Sequence, residues 1–364
     1  MSALLDLSPC PTPWWLPERH TQTLFGALLA PTNRIRFFRD RVETPDGDFI
    51  DFDWNAPSLP RAPKRAQDAA LTHTAATDWL DEAGGQALGL APAAPALVLL
   101  HGLEGSSKSR YAQSITQHFR QAGWAVVVAH FRGCSGFANR LARAYHSGDS
   151  AEIRFILETV RARFPAGDWH AVGISLGGNA LLKYMGESPL EVAWLKAAAA
   201  ISAPLDLVAA GNHLSDDRFN REIYSRHFLR TLQPKVLKKA ERFPGVIDTI
   251  RIQQARDLRD FDNAYTAPMH GFSDALDYWT QCSSKRWLAH VRTPTLVLNA
   301  RNDPFLPEAT LPGPAYGSAQ VELHQPAQGG HVSFVTGVWP GHLRWLAQRI
   351  ETFFTSRQAC GSTI

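Results

Sequence analysis

Ser175 stands in Gly173-Ile174-Ser175-Leu176-Gly177, between an apolar run, WHAVGI, and a helix-patterned run, GGNALLKYMGE. A G-x-S-x-G sequence that joins a strand to a helix forms a nucleophile elbow, which strains the serine and leaves its Oγ exposed above the sheet. A serine hydroxyl attacks only when a base removes its proton, and the base needs an acid to orient it and to stabilise its charged form. In this setting the partners follow in the order serine, acid, histidine. Asp303 in LVLNARNDPFLP and His331 in VELHQPAQGGHVSF each come just after an apolar run, where strand ends are expected. Asp206 in ISAPLDL is the rival acid, and His290, His324 and His342 are rival bases. Asp303 and His331 are preferred because a triad needs all three groups at one edge of the sheet. Two backbone N–H groups should hold an oxyanion: that of Leu176, after the nucleophile, and that of Leu103 in LLHGLEG. His101 in that loop reads as structural.

The elements needed to position these residues are legible in the periodicity. RIRFFRDRVETPDGDFIDFDW reads as a hairpin turning at Asp46-Gly47. From residue 96 apolar runs alternate with amphipathic ones: ALVLLH, WAVVVAHF, WHAVGIS and LKAAAAIS are strands, with helices between them. Strands that are apolar throughout argue for a parallel sheet with helices on both faces. Residues 204–290 break the rhythm with a helical, charged and aromatic pattern, expected to be a lid inserted after the sixth strand. TPTLVLNA and QVELHQ resume the sheet, and PGHLRWLAQRIETFF closes it as a helix. The expected division is therefore 1–203 and 291–364 as one core, with 204–290 as the lid. The Ala/Pro-rich stretch 57–95 is expected to be a surface insertion. Trp14 and Trp15, in the Pro/Trp-rich stretch PWWLPERHTQTLFGALL, are expected to pack against the body, the alternative being an apolar surface patch for a partner or a lipid interface.

Composition narrows the alternatives. The formal net charge is +3, small and diffuse, which argues against nucleic acid as a partner. No run of 18 uncharged apolar residues is present, so no membrane span is expected. The N-terminus lacks a basic region and has only a short apolar stretch, so no signal peptide is expected. Cys10, Cys134, Cys282 and Cys360 are far apart, which fits reduced thiols and a cytoplasmic protein. No H-E-x-x-H or paired-cysteine spacing occurs, and Asp216 and Asp217 read as a helix start; neither a metal nor another cofactor is expected.

Beyond the elbow, PWWLPERHTQTL, HGLEGSSKSRY, HFRGCSG, GISLGGNALLKY, SAPLDL, NARNDPFLP and GGHVSF occur in an order that resembles one family. It is the YheT-like group of the α/β-hydrolase superfamily, with the plant EMB8-like proteins and the mammalian ABHD1/ABHD3-type hydrolases. The resemblance implies an α/β-hydrolase fold and a serine hydrolase acting on esters through Ser175, Asp303 and His331. The expected reaction is cleavage of short- to medium-chain carboxylic esters through an acyl-enzyme. Thioester, amide and lipid hydrolysis use the same triad and stay open, and a non-catalytic binding protein would be signalled by a broken triad. Oligomeric state is not readable.

Overall fold

The computed structural model describes residues 2–57, 77–79 and 93–361. The insertion expected at 57–95 lies outside the described residues, apart from its ends and 77–79.

Among the described residues ten strands form one sheet: β1 (Leu4–Asp6), β2 (Phe37–Glu43), β3 (Phe49–Asn55), β4 (Thr77–Trp79), β5 (Pro95–Leu100), β6 (Ala125–Ala129), β7 (Asp168–Ile174), β8 (Ala197–Ile201), β9 (Thr295–Leu298) and β10 (Val321–His324). Their spatial order is β1-β10-β9-β8-β7-β5-β6-β3-β2-β4. β2 and β3 form the expected antiparallel hairpin, and β3 also runs antiparallel to β6. The other pairings are parallel.

The apolar strands are buried on both sides, as parallel strands between helical layers must be. Ala96 to Leu100 are fully buried, and alternate residues serve opposite faces. Ala96, Val98 and Leu100 meet α3 (Ser150–Arg163) and α4 (Leu176–Glu187). Leu97 and Leu99 meet α2 (Arg110–Gln121) and the C-terminal helix α8 (Arg344–Gly361). An N-terminal helix, α1 (Arg19–Leu28), is capped by the Glu18 carboxylate, which accepts from the His20 and Thr21 N–H groups.

Residues 204–290 are helical, as expected. They include α5 (Leu207–Asp216), α6 (Arg226–Arg242) and α7 (Ala275–Cys282). The strand before this segment is β8, the eighth in the chain rather than the sixth. The two unforeseen strands, β1 and β4, are three residues each, too short to show a period, and both pair at edges of the sheet. Among the described residues no helix is long and apolar enough to cross a membrane.

The topology fixes where a ligand can bind. From β5 the chain goes to its neighbour β6, then crosses back over β5 to β7 and proceeds outward through β8, β9 and β10. The loops leaving β5 and β7 therefore diverge. They open a crevice at the carboxyl ends of these strands, the usual binding position in an open α/β sheet.

Candidate active site

Ser175 sits at that crevice, between β7 and α4. Its backbone has φ 50° and ψ −118°, a region L-residues rarely occupy. Its N–H is tied to the Ile201 carbonyl at 2.8 Å, which locks the turn to β8. The flanking glycines are required by close approach. A Cβ at Gly177 would lie 2.6 Å from the His101 carbonyl oxygen, and one at Gly173 would lie 2.6 Å from the Gly177 oxygen. The N-terminal end of the twelve-residue α4 points at the serine and favours negative charge there.

Asp303 follows β9 and His331 follows β10, so parallel strands deliver both to the edge that carries Ser175. The His331 Nδ1–H donates to Asp303 Oδ2 at 2.8 Å, and the Ser175 hydroxyl donates to His331 Nε2 at 3.0 Å. Asp303 is 2% exposed, and its second oxygen accepts from the Phe305 N–H at 2.8 Å. The rivals are occupied elsewhere. The Asp206 carboxylate caps α5 through the Ala209 N–H, and His324 bonds the Ser8 carbonyl and Arg349. His342 contacts Thr336, and His290 is exposed in a short 3-10 turn. Asp216 pairs with Arg259 at 2.9 Å, and Asp217 caps the turn beginning at Arg218.

Leu103 and Leu176 both border the cavity above Ser175, and among the described residues neither N–H is taken by another acceptor. The loop carrying Leu103 is held from below by His101. This imidazole is fully buried, and burial lowers its pKa to about 3, so it is neutral. Its Nδ1–H donates to the Gly102 carbonyl at 2.8 Å, and its Nε2 accepts from the Phe131 N–H at 3.1 Å. From the other side, Glu104 accepts from Tyr145 Oη at 3.0 Å and pairs with Lys235 of α6 at 2.7 Å.

The cavity is about 380 Å³. Ser175 and His331 lie on its floor, and the helical segment supplies much of its wall, including Leu207, Leu214, Phe228, Leu232, Tyr278 and Trp279. Of the aromatic stretches in that segment, HFLRTL and DYWTQC reach the cavity, whereas Trp287 of KRWLAH packs beside Gly186 of α4.

Several supporting residues were not legible as such. Thr23 Oγ1 on α1 accepts from the His331 N–H at 2.9 Å, and the Ser333 hydroxyl donates to the Thr23 carbonyl. Gln22 Oε1 accepts from the Gly329 N–H and from Asn302, whose own oxygen accepts from the Gly330 N–H. Ser202, at φ 49°, accepts from the Val332 N–H. The Phe305 ring stacks on the imidazole of His331 at 4.0 Å, with 28° between the planes. The one signal for α1 was that RHTQTL, far from Ser175, Asp303 and His331 in sequence, is among the segments that carry the resemblance.

A strained serine on a strand–helix turn after β7, an acid and a histidine in the loops after the parallel strands β9 and β10, and a cavity walled by helices above them define an α/β-hydrolase architecture. The chain belongs to the alpha/beta hydrolase fold family, whose profile matches residues 95–338. It is 34% identical over 339 residues to the protein named "Putative esterase YheT" of Escherichia coli, covering 93% of this chain and 90% of that one. It is 28% identical to phospholipase ABHD3 of Mus musculus, covering 93% and 76% of the two chains. Medium-chain fatty acid ethyl ester synthase/esterase 2 of Saccharomyces cerevisiae is 30% identical over 292 residues, 72% of this chain and 62% of that one. Among solved structures, Est1E of Butyrivibrio proteoclasticus with ferulic acid aligns at a TM-score of 0.53 and 13% identity, over 88% of this chain and 99% of that one. This chain is a hydrolase of that family.

Proposed function

We propose that the protein hydrolyses carboxylic esters through a Ser175–His331–Asp303 triad and an acyl-enzyme. The observation that carries this reading is the unbroken hydrogen-bond relay from Asp303 to His331 to Ser175 on the floor of an apolar cavity. Ser175 Oγ attacks the ester carbonyl as its proton passes to His331 Nε2. The carbonyl oxygen becomes an oxyanion, which the Leu103 and Leu176 N–H groups stabilise. One such donor contributes about 2.7–4 kcal/mol to the transition state. Asp303 keeps the imidazole in the tautomer that accepts at Nε2 and stabilises the imidazolium. The imidazolium protonates the departing alkoxide, and the alcohol leaves an acyl-Ser175. Water, deprotonated by the same imidazole, then attacks the acyl carbonyl; the acid is released and the serine takes back the proton.

The helical segment 204–290 acts as a lid over this site, and its apolar wall takes the acyl chain. The relatives' names support cleavage at an ester bond: one is "Putative esterase YheT", and the others are an ethyl ester synthase/esterase and a phospholipase. The three described thiols, Cys10, Cys134 and Cys282, are free and buried, and burial pushes each up to about 12, so none is a nucleophile that rivals Ser175. Turnover of a panel of aryl esters, with fluorophosphonate labelling, tests the reading on wild type and Ser175→Ala. Both activities should vanish in a folded Ser175→Ala protein. Undiminished turnover there overturns the serine mechanism.

A further inference from the structure

One surface of the molecule is unusually apolar for its exposure. Trp14 is 88% exposed, Val338 84%, Trp339 71%, Leu29 67% and Leu28 53%. Trp15 packs as expected, but its neighbour Trp14 does not. The five residues come from two segments that are locked together beneath them. The Trp15 ring lies edge-on to Phe25 at 5.1 Å and to Trp339 at 5.2 Å, and its Nε1–H donates to the Gly337 carbonyl. Leu16, Ala30, Val335 and Leu343 form the buried floor. The exposed side chains therefore project from a fixed base, with Leu28 at the end of α1, one turn beyond Phe25, and Leu29 at its C-cap. Exposed apolar side chains gathered on one packed base mark an interaction site.

Charge decides what covers it. The two segments that carry the patch, residues 10–36 and 335–345, and the stretch 106–114 that holds Arg110 against the end of α1, contain Arg19, Arg34, Arg36, Lys108, Arg110 and Arg344 against a single acid, Glu18. Arg110 is fixed at the edge, donating to the carbonyls of Leu28 and Ala30. Arg344 is exposed and follows the buried Leu343. Exposed tryptophans with aliphatic neighbours and a cationic rim match the headgroup boundary of an anionic bilayer. There the indoles sit at headgroup level, while Lys and Arg meet the negative surface.

We infer that Trp14, Leu28, Leu29, Val338 and Trp339 form a membrane-docking surface by which the protein binds reversibly to anionic lipid bilayers. Leu28 and Leu29 of this surface lie at the end of α1, whose inner face carries Thr23 against the His331 loop. Docking is read without turnover, so it stands or falls independently of the ester reading.

The full-length protein is mixed with vesicles of phosphatidylcholine alone and with vesicles containing about 30% phosphatidylserine. Cosedimentation gives the bound fraction, and brominated lipid reports tryptophan insertion. Partition onto the anionic vesicles at least tenfold above neutral ones is expected, with quenching by shallow bromine and weakening at high salt. Trp14→Ser with Val338→Ser should cut partition at least tenfold while leaving turnover of a soluble ester unchanged, since neither residue touches the site. Arg344→Glu should weaken binding to anionic vesicles only. Failure to bind anionic vesicles, or equal binding by the double variant, overturns the inference. So does a dimer in sedimentation that the double variant dissociates, because the patch would then cover a second copy of the chain.

Discussion

Thr23 offers the sharpest test of how the site is held. Its hydroxyl accepts from the His331 N–H at 2.9 Å and donates to the Arg19 carbonyl, and the residue is 4% exposed. Thr23→Val keeps the shape and removes the acceptor. The His331 N–H is then buried without a partner, which costs about 1–3 kcal/mol. The loop recovers that energy by rotating the N–H toward another acceptor, and the imidazole moves with it. Misplacement by about 1 Å costs on the order of 10²-fold in rate. We expect kcat on a soluble aryl ester to fall about 10–100-fold, or roughly 1.4–2.7 kcal/mol in barrier, with KM little changed. The fluorophosphonate labelling rate should fall in parallel, because it needs the same base. Thr23→Ser restores the acceptor and should recover most of the rate, which a purely packing role would not predict. Melting is followed alongside. If Thr23→Val melts several degrees lower yet keeps kcat within twofold of wild type, α1 merely stabilises the fold and the positioning argument is wrong.

Further outcomes follow from the cavity, the buried histidines and the elbow. Each buried acyl methylene contributes about 0.8 kcal/mol, so two more carbons should raise kcat/KM roughly tenfold. The rise continues until the 380 Å³ cavity is full, and monomeric long-chain esters should then fall off; a flat profile from two to about sixteen carbons contradicts the lid assignment. Burial lowers His101 and His270 to about 3, and His146 and His170 to about 4. The folded state thus favours their neutral forms, and this stability is present above the unfolded value near 6.5. As pH falls from there toward 4, the unfolded chain gains protons that the folded one refuses. Each histidine then costs up to about 1.4 kcal/mol per pH unit, so the urea midpoint should drop steadily between pH 6.5 and 4.5; a constant midpoint would refute the neutral assignments. EDTA should leave ester turnover intact, and loss on chelation restored by zinc would replace the triad with a metal mechanism. Gly177→Ala should abolish activity or folding, since its Cβ meets rigid backbone oxygens of residues 100 and 101.

The sequence by itself determined the parts of this protein that depend on local chemistry and short-range period. The parallel sheet was visible because strands buried on both faces are apolar throughout, as Leu97 to Leu100 are. Ser175 was visible because a tight elbow leaves room only for glycine at 173 and 177. Asp303 and His331 were visible because parallel strands all end at one edge, so residues after successive apolar runs are brought together. Tertiary structure alone decided what depends on contacts between distant segments. Strands β1 and β4 are three residues long and exist through their pairing partners rather than through any pattern of their own. Thr23 and Gln22 look like ordinary helix residues until α1 is laid against the loop after β10, about 310 positions away. Phe305 faces His331 only because two loops converge. Trp14 and Trp15 are identical and adjacent, yet one is wedged between Phe25 and Trp339 while the other is in solvent. A side chain's chemistry is written at its own position, whereas its partner and its exposure are set by whichever segment folds onto it.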